Sequence, residues 1–454
     1  DVIRRYHLLK KDSVLYLCGA DENALKIFQA AEKAGVKPQE FTDQHNKEFL
    51  EVAKQLNVHF DVWQRGSDAA HHFTSSQKLW ELCEKNGDIY KKSYTGLYCV
   101  GCEQFYEPGE LNEKGECFEH PGKPLDKVSE ENYFFKLSKY QTFLEDLIEQ
   151  DKLKITPLIR KNEALAFIRK GLEDFSISRS RERARGWGIP VPGDTNQIMY
   201  VWFDALNIYQ TGIGFGWDEK TYKTWSPQDV MVIGKGIIRF HAVYWPAILK
   251  SARLGLPKEL FVHGYLTVDG QKMSKTLGNV VDPVDLIEKY GTDTLRYYLL
   301  REIPSTADGD FSESRLKEIY NADLANNLGN LAARIAKLCE TSQFSQPARN
   351  TEQTHVLSDS VYEKALLEYR FNDALAFVWQ KITAVNQYID REKPWNLQKT
   401  GDARIKDVLA HCIDELQEIG SLLLPFLPHT AERILAQFGK ETISSQTPLF
   451  PRLT

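Results

Sequence analysis

Along roughly the first 315 residues, short runs of branched and aromatic side chains end abruptly on glycine or a polar residue. Residues 14–18 run into Gly19-Ala20-Asp21, 199–203 into Asp204, 230–233 into Gly234, and 260–262 into His263. Each run predicts a short strand closed by a turn. Helical spacing at 23–35 and 237–249 separates or follows them, and this alternation predicts a parallel sheet covered by helices on both faces. Ligands of such sheets gather outside the carboxyl ends of the strands, where Asp21, Asp204, the Gly234-Lys235-Gly236 turn and His263 fall. Beyond residue 315 the period changes. Leu324, Leu328, Leu331, Ile335 and Leu338 recur in steps of three and four, as do Leu375, Val378, Ile382, Val385 and Ile389, and again Leu409, Ile413, Leu416, Ile419 and Leu423. Three such stripes predict a bundle of antiparallel helices. The polar stretch 341–357 reads as a connecting loop.

Length and composition narrow the class. At about 150 residues per domain, 454 residues give a prior of about three domains. Apolar residues at 42% and charged residues at 26% are ordinary globular values and exclude disordered, collagen-like and coiled-coil chains. No apolar run approaches the roughly 18 residues of a membrane span. The opening DVIRRYHLLKKDSVLYLC is charged and amphipathic, without a signal core, so a soluble, cytoplasmic protein is expected. The formal charge of -6 gives no sign of a nucleic-acid partner, although it leaves room for a local basic face.

Three of the seven cysteines are clustered. Cys99, Cys102 and Cys117, followed by His120, form CxxC, fourteen residues, then CxxH. Two such knuckles offer four sulfur and imidazole donors to one tetrahedral zinc, and a site closed by four protein ligands is structural. A chance cluster of thiols is the alternative. Cys18, Cys83, Cys339 and Cys412 lie in apolar stretches and read as core filler. The cysteine segment, roughly 90–172, interrupts the strand-helix alternation and is expected to be an insertion between two halves of one sheet domain.

The stretch GYLTVDGQKMSKTLGNVVDP, residues 264–283, carries Lys272 and Lys275 around Met273 and Ser274, with Gly270 and Gly278 on either side. Ammonium groups three apart in a mobile loop can close on a polyphosphate and neutralise a leaving pyrophosphate. By spacing alone, a solvated surface turn is the favoured reading of the pair. The tetrapeptide at 272–275, however, looks like the KMSKS signature of class I aminoacyl-tRNA synthetases, with Thr276 in the last position. Its surroundings resemble methionyl-tRNA synthetases over essentially the whole chain. ISRSRERARGWGIPVPGD at 177–194, YVWFDAL at 200–206, IIRFHAVYWPAIL at 237–249, FVHGYLTVDGQKMSK at 261–275 and NADLANNLGNLAAR at 321–334 carry the likeness, together with the cysteine insertion and ENYFFKLSKYQ at 131–141.

The resemblance implies a class I Rossmann-like sheet split by a zinc insertion and followed by an all-helical anticodon-binding bundle. Expected boundaries are 1–89 for the first half of the catalytic domain, 90–172 for the zinc insertion, 173–264 for the second half, 265–315 for the lysine-loop segment, and 316–454 for the bundle. The implied reaction activates L-methionine with ATP and transfers it to tRNA(Met), with magnesium riding on the phosphates and one structural zinc. Carried over by position, Trp202 and Tyr209 enclose the thioether, with His263 nearby. Asp21 holds the substrate ammonium, and Arg179 sits near the reacting groups. Gly234, His241, Lys272, Ser274 and Lys275 meet ATP, with Lys272 and Lys275 catalytic, and Asn330, Arg334 and Trp395 meet the anticodon. On residue type alone, Trp202 and Tyr209 also fit sheet-edge core, Asp21 a helix N-cap, and Trp395 packing at a helix end. A monomer is expected.

Three departures from the family pattern stand out. No HIGH signature occurs in these 454 residues, and DVIRRYHLLK resembles the later part of the helix that carries it. Gly236 stands where many relatives have a ribose-binding aspartate. Asp21-Glu22-Asn23 replaces the commoner Asp-Glu-His. The first departure fits a fragment of a complete enzyme or, alternatively, a truncated relative that binds tRNA or a partner without catalysis. Leucyl, isoleucyl and valyl relatives carry a much larger insertion, and cysteinyl enzymes hold their substrate thiol on zinc. A zinc hydrolase would need an open coordination position that four ligands deny it.

Overall fold

The computed structural model describes residues 1–101, 104–106, 108–268, 270–273, 278–348 and 360–453. They form two compact units. One comprises Leu15–Glu51 and Phe60–Val262, the other Asp1–Val14, Val52–His59 and His263–Thr454.

In the first unit, β1 (Leu17–Ala20) pairs in parallel with β2 (Val62–Arg65), Gly19 opposite Gln64 and Ala20 opposite Arg65. The helix Leu25–Ala34 follows β1 and stops at Gly35, whose φ of 72° suits a residue without Cβ. A four-stranded antiparallel sheet comes next. β3 (Ile89–Cys99) lies between β4 (Gln104–Tyr106) and β5 (Asp126–Phe135). β6 (Lys154–Thr156) leaves that sheet, and β7 (Phe175–Ser176) completes it on β5. β8 (Ser178–Ser180), β9 (Pro190–Val191) and β10 (Asp194–Met199) make another antiparallel sheet, with β10 in the centre. β11 (Val230–Gly234) and β12 (Glu259–His263) join β6 in the order β11-β12-β6, with β12 and β6 parallel. Thus β6, within the span expected to be a separate insertion, contributes to the strand set that carries Gly234 and His263. Trp80, Phe203, Trp245, Ile248, Leu260 and Val262 form the center of the core of this unit.

Two expected elements differ. Residues 199–203 are not one strand, because β10 ends at Met199 and Val201–Ala205 is a short helix. A short apolar run does not by itself distinguish a strand from a buried turn of helix. Residues 237–249 are not one regular helix either. A 3-10 turn at Lys235–Ile237 and a π-helical turn at Phe240–Tyr244 precede the helix Trp245–Ala252. Pro246 has no N–H to give to residue 242, so the regular ladder cannot run through that point.

In the second unit, β13 (Leu266–Val268) lies between β14 (Gln271–Lys272), antiparallel, and β15 (Gly309–Phe311), parallel. The helices Asn330–Thr341, Phe371–Glu392, Ile405–Leu423 and Pro428–Phe438 follow. The predicted stripes face one core, with Leu328, Ile335, Val378, Ile382, Ile413 and Leu416 fully buried. Residues 1–14 and 52–59, expected with the sheet, belong to this unit. The helix Val2–Leu9 buries Val2 and Tyr6 there. Arg296, 6% exposed, explains the attachment. Its guanidinium pairs with Asp1 at 2.8 Å and donates to the backbone oxygens of Phe426 at 2.7 Å and Leu56 at 3.1 Å. Arg5 bonds Asp1 and the Asn57 backbone oxygen at 2.9 and 2.8 Å.

A buried ion pair broken on one side leaves charge and carbonyls without partners. Arg296→Met is therefore expected to cost about 3 kcal/mol or more of stability, read from urea unfolding. An unchanged midpoint would show that Arg296 does not hold these segments together.

Candidate functional site

The site grows from the turns after β1 and β2. Asp21 is exposed, whereas Glu22 and Asn23 are buried. The Glu22 carboxylate pairs with Arg65 at 3.0 Å, accepts the Ser67 N–H at 2.9 Å, and is also bonded by Asn46. Asn23 Nδ2 donates to the Gly66 backbone oxygen at 2.8 Å and to Asp204 Oδ2 at 3.1 Å. The second bond ties the turn that carries Asp21 to the segment that carries Trp202. Beneath it lies a polar layer: His72 and Thr211 are 2.9 Å apart, and Asn207 Nδ2 donates to Ser75 and Ser76.

Four rings meet beside this turn. Trp202 stacks on Phe240, centroids 3.8 Å apart and planes within 7°, and meets the edge of His241 at 6.3 Å. His241 Nδ1 lies 2.9 Å from the Ile237 carbonyl, which can only accept, so Nδ1 carries the proton. The Tyr209 hydroxyl therefore donates to His241 Nε2 at 2.9 Å. Burial pushes His241 down to about 4 against the small upward pull of that carbonyl, so the ring is neutral and the cage uncharged. Flat polarizable faces with one fixed hydroxyl suit an apolar, sulfur-containing chain. The structure thus groups His241, expected with ATP, with Trp202 and Tyr209. His263 ends β12 exposed, its Nδ1 2.8 Å from its neighbour's oxygen, Gly264 O.

Arg179 is buried on β8, its guanidinium over the rings of Tyr98 at 5.0 Å and Tyr200 at 5.2 Å. Gly234 closes β11 and opens the turn containing Lys235 and Gly236. Lys272 ends β14, its backbone paired with Thr267. Its side chain, with Ser274 and Lys275, lies outside the described residues. Gly270 and Gly278, with φ of 70° and 67°, give the loop two left-handed turns.

The Cys/His knuckle is partly described. Donor atoms of Cys99, Cys117 and His120 lie within 4.8 Å of one another, both sulfurs 3.8 Å from His120 Nδ1. Tetrahedral bonds of about 2.3 Å to sulfur and 2.0 Å to nitrogen would put these atoms about 3.6 Å apart, so the set fits zinc. A Cβ at Gly101 would come within 2.6 Å of the His120 ring, which explains why glycine lies there. Cys102 lies outside the described residues.

In the helical unit, Arg334 pairs with Asp390 at 2.8 Å and lies 5.7 Å over the Trp395 ring. Asn330 is exposed one turn before it on the same helix. Sequence reading missed Phe240, Tyr98, Tyr200 and His72. Phe240, Tyr98 and Tyr200 sit among apolar neighbours in the chain and His72 in a polar stretch, and only the tertiary approach of another segment gives each its place.

Comparisons with known proteins agree with this layout. Residues 1–336 match the family described as tRNA synthetases class I (M), and residues 327–453 match the anticodon-binding domain of tRNA ligase. The methionine–tRNA ligase of Brucella suis is 41% identical over 96% of this chain and 86% of its own length. That of Thermotoga maritima is 38% identical over 99% and 73%. The solved methionyl-tRNA synthetase of Mycobacterium tuberculosis bound by methionyl-adenylate superposes with a TM-score of 0.91 at 34% identity, covering 99% of this chain and 94% of that one.

Burial also pushes His72 down to about 4, against the pull of Asp68 and Glu22. Both His72 and His241 start from 6.5, so the unfolded chain binds more protons between pH 6.5 and about 4. Stability is expected to fall as pH drops through that window, and to fall less steeply in His241→Gln, where His72 alone of the two still titrates. Chemical denaturation at stepped pH reads it, and a flat profile in the parent would show that these rings are not buried neutral.

Proposed function

The chain belongs to the class I methionyl-tRNA synthetase family, and on that basis we propose how its residues share the reaction. Methionine and ATP give methionyl-adenylate and pyrophosphate, and the methionyl group then passes to tRNA(Met). In our reading Trp202, Phe240 and Tyr209 grip the thioether, while His241 orients Tyr209 rather than touching phosphate. Asp21 holds the ammonium, with His263 beside the pocket. Arg179 and the turn at Gly234 face the reacting end of ATP. Lys272, Ser274 and Lys275 close on the phosphates, where two cations offset the charge that builds on the leaving pyrophosphate. Magnesium travels on those phosphates.

The observation that carries this reading is the bond from Asn23 to Asp204. It ties the turn that carries the Asp21 carboxylate to the segment that carries Trp202, which supports reading an ammonium site beside a thioether site. Cys99, Cys102, Cys117 and His120 are the proposed ligands of one structural zinc, supported by the three described donors. Asn330, Arg334 and Trp395 are the proposed anticodon contacts, supported by the cation held over the Trp395 face. Among the described residues no helix is long and apolar enough to cross a membrane. The proposed setting is cytoplasmic, with the chain acting as a monomer.

Amino-acid-dependent exchange of pyrophosphate into ATP tests the assignment. Methionine is expected to support exchange, with Trp202→Ala raising KM for methionine about tenfold or more and Lys272→Ala lowering kcat about a hundredfold. Preference for valine, isoleucine or cysteine would overturn the substrate assignment.

Trp395→Ala is expected to weaken tRNA(Met) binding about tenfold or more, the worth of one stacked base, and to leave exchange unchanged. Filter binding with tRNA(Met) measures it, and unaltered affinity would remove Trp395 from the interface.

A further inference from the structure

Arginine recurs at every second position from 179 to 185. Two of these side chains turn toward the protein. Arg179 is buried on β8, and Arg183 pairs with Glu130 at 3.2 Å and lies 4.4 Å from the centroid of the Tyr98 ring. The other two, Arg181 and Arg185, are exposed. Among the described residues neither of their guanidiniums has a hydrogen-bond or ion-pair partner. Both line an open cavity of about 670 Å³, together with Ser180, Glu182, Gly186 and Asn196.

The backbone fixes this display. Ala184 donates its N–H to the Ser180 oxygen at 3.0 Å, Gly186 to Arg181 at 2.9 Å and Trp187 to Ala184 at 3.0 Å, so residues 180–187 close into a tight turn. Arg185 sits in that turn at φ 54°, a left-handed conformation that a residue with a Cβ adopts at a cost. The Arg181 side chain folds back along the turn, its Nε 4.0 Å from where a Cβ of Gly186 would lie. Backbone strain that presents a cation to a cavity, with no partner inside the protein, points to a ligand. The turn is also anchored beside the reacting groups at both ends. Ser180 directly follows Arg179, and the Trp187 indole donates to the Glu22 backbone oxygen at 2.7 Å, next to Asp21.

The lining selects the ligand. Guanidinium forks match pairs of phosphate oxygens. Two cations and the Glu182 carboxylate leave a surplus of one positive charge, which suits phosphodiesters with one charge each better than the concentrated charge of a polyphosphate. Glu182 and the Asn196 side-chain oxygen also offer acceptors to sugar hydroxyls. We propose that Arg181 and Arg185 bind backbone phosphates of the single-stranded 3′ end of tRNA as it enters the reacting site, with Glu182 and Asn196 accepting from its 2′-hydroxyls. The proposal rests on the reading of Asp21 and Arg179 as parts of that reacting site.

The probe is an RNA hairpin of the tRNA(Met) acceptor stem with its single-stranded 3′ end, which lacks the anticodon, bound to the full chain across a series of salt concentrations. The double variant Arg181→Gln, Arg185→Gln is expected to weaken the hairpin about tenfold or more and to leave methionine-dependent pyrophosphate exchange within about twofold. The slope of log affinity against log salt should become shallower by about 1.4, from two phosphates at about 0.7 each. Removing the single-stranded 3′ end from the hairpin should weaken binding to the parent and leave the double variant unaffected. A hairpin whose 3′ end is DNA is expected to bind the parent about threefold or more weakly. Arg185→Gly relieves the left-handed backbone, so weaker hairpin binding there with an unchanged urea midpoint supports the contact free of any folding defect. Hairpin affinity and salt slope that match the parent in the double variant overturn the proposal, as does a parent that does not bind the hairpin. Exchange that falls in step with hairpin binding would make ATP the bound anion, and equal affinity for the DNA-ended hairpin would remove the ribose contacts; either result overturns the assignment to RNA. A parent without methionine-dependent exchange overturns the underlying reading of the reacting site instead.

Discussion

The Glu22 carboxylate, 2% exposed, is the point on which the catalytic unit is organised. β1 and β2 share only four residue pairs, too short a ladder to fix the turns beyond their ends. The ion pair to Arg65 and the Ser67 N–H join those turns directly, while Trp187 donates to the Glu22 backbone oxygen at 2.7 Å and brings in a third segment. Taking two charges out of water is costly, and such a pair persists when every lone pair is met. Here it is met from three directions. Asp21 and Asn23 flank the pair in sequence, so the exposed carboxylate and the buried amide inherit their placement from it.

Above that base, charge and polarizability are kept apart. The aromatic cage is neutral because His241 is too buried to take a proton, which suits a side chain that offers sulfur and methylene groups but no charge. A cation of the same unit lies apart from the cage, on Arg179 between its tyrosine rings. The helical unit uses another economy. Its positive group at Arg334 is already paired with Asp390 and held over the Trp395 ring, so at the proposed anticodon contact the charge is not an open basic patch.

Much of this was legible in the sequence. The helical stripes were, because steps of three and four leave one solution for burial, and residues such as Ile335, Ile382 and Ile413 are fully buried as the spacing requires. Three of the four knuckle donors, Cys99, Cys117 and His120, were, because CxxC and CxxH restrict geometry locally. Asp21, Gly234 and His263 do fall at strand ends. What sequence could not give depended on contacts between distant segments. Phe240 is one apolar residue among many until Trp202 stacks on it, and Tyr98 looks like ordinary strand until two arginines converge on its ring. The run 199–203 failed as a strand because period and composition were the same for either outcome, and the bond from Tyr200 to Ile177 marks where the ladder stops. The attachment of residues 1–14 was hidden for a similar reason, since it depends on Arg296, nearly 300 residues away along the chain.

That attachment has a consequence for how the molecule forms. The unit of residues 15–51 and 60–262 is interrupted by only one short excursion, so its strands can pair once residue 262 has been made. The other unit is assembled from three pieces, and residues 1–14 and 52–59 must wait for Arg296 and for the Pro425-Phe426 turn that it holds. Contacts this distant in sequence are slow to close. The helix Val2–Leu9 takes its partners from far along the chain, Arg296 for Asp1 and Glu363 for Tyr6, which makes this short segment a place where a misfolded contact competes with the native one.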